Sequence, residues 1–320
     1  MLKITRKITQ ASFIIFLTLL PILNIVRFDS ESSQLILFGS EWGLGLNPEI
    51  IANPTLQNIN SLSGAVVLKI IVPWLIVLAI FPVLGVIFGR FFCGWMCPEG
   101  TLFEFADFVT GKIVGRRSIY KKVDSDNDIV QARGVKRFLY LLLGLSIVII
   151  FPLIFAFIIV SFFVAPSTLL HQIVSFNISF KVGLGLSAAA VYFVISSVFI
   201  RHNLCKYVCG AGLMQMLFGW LSPASLRVSF DKNAVIHCTD CKKCERVCFM
   251  NILPRNPKKD ISCLNCGECI SACKNEMMLK DKPYESCLAF SFGKLYENDV
   301  KETNEIKGVA YVTRDYRKIK

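Results

Sequence analysis

Two stretches of the 320-residue chain repeat one cysteine spacing. Residues 238–248 carry Cys238, Cys241, Cys244 and Cys248, and residues 263–273 carry Cys263, Cys266, Cys269 and Cys273, each as C-x2-C-x2-C-x3-C. Three thiolates spaced this tightly wrap one corner of an iron–sulfur cubane, while the fourth, on a short helix, reaches the neighbouring cluster. The spacing therefore predicts one [4Fe-4S] cluster on Cys238, Cys241, Cys244 and Cys273, and a second on Cys263, Cys266, Cys269 and Cys248. Zinc is the competing ion, but zinc sites generally join two separated Cys/His pairs around one tetrahedral centre. A proline usually follows the fourth cysteine. Here Phe249 and Lys274 stand in its place, a change that bears on solvent access and potential and removes no ligand.

Four further cysteines form a second repeat. Cys93-Gly94-Trp95-Met96-Cys97-Pro98-Glu99-Gly100 and Cys205-Lys206-Tyr207-Val208-Cys209-Gly210-Ala211-Gly212 share the two cysteines, the aromatic residue and the last glycine. Pro98 cannot donate a backbone hydrogen bond and is favoured at the first position of a helix, so Cys97 is a candidate N-cap with its thiol biased toward thiolate. The two pairs can converge on a metal or a third cluster, or remain buried, reduced thiols. A cytoplasmic setting disfavours a lasting disulfide. His237 reads as a solvated neighbour of Cys238, Cys287 as a free thiol alone in a charged tail, and His171 as structural, although it could exchange protons with a quinone.

The elements that must carry these motifs follow from composition. Hydrophobic residues make up 54% of the chain and charged residues only 18%, against about 25% in soluble domains, which points to a membrane and away from a soluble enzyme or a disordered chain. Ile8–Val26, Ile70–Gly89, Phe138–Val164 and Val182–Ile200 are free of charge, and each is long enough to cross a hydrocarbon core of about 30 Å. Four transmembrane helices are expected, bent rather than broken by Pro73, Pro82 and Pro152. The first is expected to be retained, since it lacks a small-residue cleavage pattern.

Net charge is +12 (35 Lys+Arg, 23 Asp+Glu). Its distribution explains it without nucleic acid. Residues 28–68 hold no Lys or Arg and 165–181 only Lys181, whereas basic residues precede the first span and fill 90–137. The positive-inside rule then puts both termini and the clusters in the cytoplasm, with the basic residues acting as topology signals on a solvated face. The expected fold is an α-helical membrane protein with four transmembrane helices plus a small α+β ferredoxin-like 2[4Fe-4S] domain. Residues 1–224 would form the membrane domain, 225–282 the ferredoxin domain and 283–320 a charged tail.

The motif Phe92-Cys93-Gly94-Trp95-Met96-Cys97-Pro98-Glu99-Gly100, the pair Cys205 and Cys209, and the double cluster motif together resemble the NapH-like membrane polyferredoxins, relatives of CcoG, NosR and MauN. The resemblance implies a multi-pass protein of the bacterial inner membrane that transfers electrons between the quinone pool or a cytoplasmic donor and a partner redox system. Its partners would be membrane lipid and a redox protein, with quinone a further ligand. Metalloenzyme maturation or copper reduction at a soft site of Cys93, Cys97, Cys205 and Cys209 is the alternative, and redox sensing a third.

Overall fold

The computed structural model describes residues 2–29, 34–42, 63–64, 66–118, 121–122, 134–230, 238–255, 261–280 and 286–292. His237, and the expected tail apart from 286–292, lie outside the described residues. Among the described residues, three helices are long and apolar enough to cross a membrane: α2 (Val67–Phe88), α5 (Val135–Val160) and α7 (Phe180–Ile200). Helix α1 (Leu2–Ile22) begins ahead of the expected first span and takes in Lys3, Arg6 and Lys7. It ends at Ile22, short of the expected Val26, because Asn24 turns left-handed (φ 52°) into strand β1 (Val26–Asp29). Helix α3 (Phe91–Trp95) and helix α4 (Pro98–Ile113) follow α2, and helix α6 (Pro166–Val174) joins α5 to α7. Beyond α7 come α8 (His202–Tyr207) and α9 (Gly210–Leu221).

The chain divides into two compact units, residues 11–79 with 101–201, and residues 1–10 with 80–100 and 202–320. In the first, β1 pairs antiparallel with β2 (Gln34–Leu37), β2 with β3 (Ser40–Trp42), and β4 (Arg116–Ser118) with β5 (Lys121–Lys122). The Trp42 indole N–H donates to the Lys69 carbonyl, 3.3 Å away. The core of this unit joins α4, α5 and α7 through Leu102, Phe155, Ala156 and Phe193. At the end of α7, Arg201 takes a left-handed backbone (φ 49°) and is held by Asp107 Oδ1 at 2.8 Å and Thr110 Oγ1 at 3.1 Å. Across α2 only Gly85 is buried from Val72 onward, and Trp74 is 64% exposed. A helix apolar on every face suits lipid, not water.

The second unit holds all the cysteines. Strand β6 (Leu226–Phe230) pairs antiparallel with β7 (Leu288–Phe292), and helices α10 (Lys243–Val247) and α11 (Glu268–Leu279) lie between them in sequence. The partner strand β7 lies beyond residue 282, within the segment read as tail. Both cluster motifs bend in the same way. Asp240 and Asn265 (each φ 51°) precede the second cysteine, and Lys242 (φ 56°) and Gly267 (φ 75°) follow it, all left-handed. Asp, Asn and Gly take up that conformation most readily, and its repetition curls each loop so that its sulfurs turn inward.

Candidate iron–sulfur centres

Helix α10 carries Cys244, and α11 carries Cys269 and Cys273. One cavity is lined by Cys248, Cys263, Cys266 and Cys269, with Met250 and Ile252. A second is lined by Cys238, Cys241, Cys244 and Cys273, and by Cys287. Each cavity thus gathers three cysteines from one motif and the fourth from the other, which is the division expected from the spacing. Buried Arg255 braces the first loop, pairing with Asp240 and with Glu245, whose Oε1 accepts from its Nε at 2.8 Å. Glu276 accepts from Lys243 and, at 3.1 Å, pairs with Lys280, which hold its carboxyl below the ordinary range.

Cys93, Cys97, Cys205 and Cys209 are also brought together. Burial raises the Cys205 thiol and the charges of Cys97 and Cys93 raise it further, while burial, and then the charge of Cys209, raise the Cys93 thiol. The two motifs are near copies in space. A Cβ on Gly100 would lie 3.1 Å from the Cys93 carbonyl oxygen and 3.6 Å from the Cys97 Cβ; on Gly212 the distances to Cys205 and Cys209 are again 3.1 and 3.6 Å. In both, the second cysteine's N–H reaches back to the residue before the first: Cys97 to Phe92 O at 3.0 Å, Cys209 to Leu204 O at 2.8 Å. Cys97 caps α4 as expected, accepting from the Gly100 N–H at 3.4 Å. Its thiol is not biased toward thiolate, however, because burial outweighs that donor and pushes it up to about 12.

Several residues that hold this site carried no signal of their own in the sequence. Arg6 and Arg90, read there as topology signals on a solvated face, are 1% and 2% exposed. Arg90 donates to the Cys205 carbonyl at 2.5 Å and the Ser262 carbonyl at 3.3 Å, and its charge stabilises a Cys93 thiolate. Arg6 donates to the Gly94 carbonyl and to Glu268 Oε1, each at 2.8 Å, and lies over the Phe249 ring. The buried His202 stacks on the same ring at 4.4 Å, so the phenylalanine that replaces the usual proline anchors α8 beside Cys248. Gln215, fully buried, accepts from the Cys93 thiol at 3.0 Å, while its Nε2 has no hydrogen-bond partner among the described residues. Gln215 reaches the site because α9 crosses α2 closely: a Cβ on Gly219 would lie 3.1 Å from the Gly89 Cα. Cys287, read as a lone free thiol, is 1% exposed and packs on Met277 beside Cys238 and Cys273.

The donor sets suit iron–sulfur clusters. Each cavity offers soft sulfur ligands from two chain segments; the first is lined mainly by apolar side chains, and the second also by Thr239, Lys242, Arg255 and Glu276. Burial pushes Cys244 and Cys266 up to about 12, so these thiols would be neutral alone and give up protons as they bind metal. The unpartnered Gln215 amide nitrogen and the buried Arg90 guanidinium also fit an anionic thiolate-ligated group beside Cys93.

Fold and cysteine sets together define a ferredoxin-type iron–sulfur protein with membrane-type helices. A family model described as "4Fe-4S binding domain" matches residues 70–117, which include Cys93 and Cys97. YccM of Escherichia coli, named as a candidate electron-transport protein, is 28% identical over 223 residues, 69% of this chain and 56% of its own length. An uncharacterised protein of Methanocaldococcus jannaschii, MJ0750, is 30% identical over 202 residues, 63% of this chain and 76% of its own. The ferredoxin-type protein NapH of Haemophilus influenzae is 23% identical over 214 residues, 63% of this chain and 64% of its own. The match thus spans just over half of YccM. No solved structure matches the chain. The chain belongs to the NapH-like family of ferredoxin-type proteins.

Proposed function

We propose that the protein is a multi-pass subunit of the bacterial inner membrane that passes electrons between the quinone pool, or a cytoplasmic donor, and a partner redox protein. Cys238, Cys241, Cys244 and Cys273 hold one [4Fe-4S] cluster and Cys263, Cys266, Cys269 and Cys248 the second, in a ferredoxin domain that extends through β7. Cys93, Cys97, Cys205 and Cys209 hold a third iron–sulfur group. Helix α1 serves as a fourth span, and both termini face the cytoplasm, a reading that the distribution of Lys and Arg supports. When bound, the clusters supply one-electron transfer.

The observation that carries this reading is the seat of the first C-x3-C motif on the second cluster loop. Trp95 Nε1 donates to the Asn265 carbonyl at 2.9 Å, and Cys93 packs on the group formed by Cys248, Met250, Ile252 and Leu264. The membrane-end cysteines are thereby fixed against the loop that bears Cys263 and Cys266, as a relay needs. Arg90 and Arg6 hold the segments in place and offset thiolate charge.

Quinol added anaerobically to the oxidised full-length protein should bleach its visible iron–sulfur absorbance, and Cys97→Ser should slow the bleaching at least tenfold. Equal rates in the two proteins would contradict the relay.

A further inference from the structure

The cavity lined by Cys238, Cys241, Cys244 and Cys273 has one sulfur more than a cubane takes from protein. Cys287 supplies it. The Cys287 backbone N–H donates to Cys273 Sγ at 3.3 Å, and its thiol lies within hydrogen-bonding reach of the sulfurs of both Cys238 and Cys273. Its position is fixed on both sides. Leu288, the next residue, pairs with Phe230 of β6, and Ser286 Oγ accepts from the Leu288 N–H at 3.1 Å. Met277 closes over it, leaving it 1% exposed. Among the described residues, the other cavity has four cysteines and no fifth.

A cubane takes four protein ligands, and the alternating motif spacing supplies them without Cys287. The remaining thiol then sits against ligand sulfurs that carry negative charge. Reduction adds further negative charge to those sulfurs, and a donor already aimed at them stabilises the reduced form more than the oxidised form. We infer that Cys287 is a positioning residue outside the coordination sphere, whose N–H and S–H donate to Cys273 and Cys238 and make the cluster they hold easier to reduce. This rests on the cluster assignment above. It also gives β7 a role: pairing with β6 delivers a donor to one cluster and not to the other.

A redox titration of the full-length protein, followed by electron paramagnetic resonance, tests the inference. The cluster concerned is the one whose signal Cys241→Ser removes. In Cys287→Ala, iron per chain should match the native protein, the midpoint potential of that cluster should shift downward, and the other should not move. Cys287→Ser, which keeps a donor, should lie nearer the native value. Unmoved potentials in Cys287→Ala at full iron content would overturn the inference alone. Loss of that cluster's iron in Cys287→Ala would overturn it by making Cys287 a ligand. Native protein without cluster signals would overturn the cluster assignment itself, and the inference with it.

Discussion

Gly94 and Leu264 meet backbone to backbone: a Cβ on Gly94 would lie 2.3 Å from the Leu264 carbonyl oxygen. No side chain lies in that contact to yield, so any larger residue must displace either the C-x3-C turn or the loop between Cys263 and Cys266.

Gly94→Ala should therefore destabilise the protein by about 3 kcal/mol, at the upper end of overpacking costs, and reduce its iron content. Gly210→Ala is the control, because a Cβ there meets nothing within 4 Å. Denaturant unfolding and iron analysis of the two variants give the comparison. Equal behaviour would show that the contact does not constrain the site.

Arg90→Gln removes a buried cation that ties Cys205 and Ser262 together. The expected loss is roughly 3 kcal/mol, the scale for charge-assisted hydrogen bonds whose buried acceptors are left unpaired. Arg90→Lys should recover little of it, since one ammonium lacks the fork that spans both carbonyls. Unfolding midpoints of native, Lys and Gln proteins should fall in that order, with Lys close to Gln.

Phe249→Pro restores the residue usual after the fourth cysteine. It removes the ring between His202 and Arg6, with an expected loss of about 1–2 kcal/mol from stacking and cation–π contact. Iron per chain should be unchanged, because no ligand is touched. A variant as stable as the native protein would show that the ring contributes no net stabilisation.

The cysteine spacings made the two ferredoxin cavities legible in the sequence, because ligand order in a loop fixes which sulfurs can share a cluster. The supporting residues were hidden for the opposite reason. Arg6 and Gln215 lie 88 and 122 residues from the Gly94 and Cys93 they contact, Arg90 sits beside Cys93 but reaches the Cys205 carbonyl across 115 residues, and a basic residue near a span has the same letter whether it faces water or a carbonyl. Cys287 is an unbridged thiol, as read, but its place beside Cys238 and Cys273 was missed because β7 was not recognised: Leu288–Phe292 is short and followed by charge, and only its pairing with β6 brings the residue before it to Cys273. Helix α1 ran past its expected start because Arg6, placed outside the span by its charge, finds Gly94 and Glu268 as buried partners.

The membrane orientation proposed from the basic residues is open to direct test. Reporter fusions after Asn60 and Ser175 should be active only as periplasmic reporters, and fusions after Asp126 and Lys320 only as cytoplasmic ones. A periplasmic signal from the C-terminal fusion would place the cysteine motifs on the oxidising side and overturn the proposed direction of the chain.

Iron and acid-labile sulfide per chain, measured in anaerobically purified full-length protein, test the central claim most directly. The double motif should account for about eight irons, and the membrane-end cysteines for an increment above that. Cys97→Ser and Cys209→Ser should each remove the increment while leaving the paramagnetic signals of the two ferredoxin clusters in place. Zinc in place of iron, or iron that stays well below about eight after anaerobic reconstitution, would contradict the account.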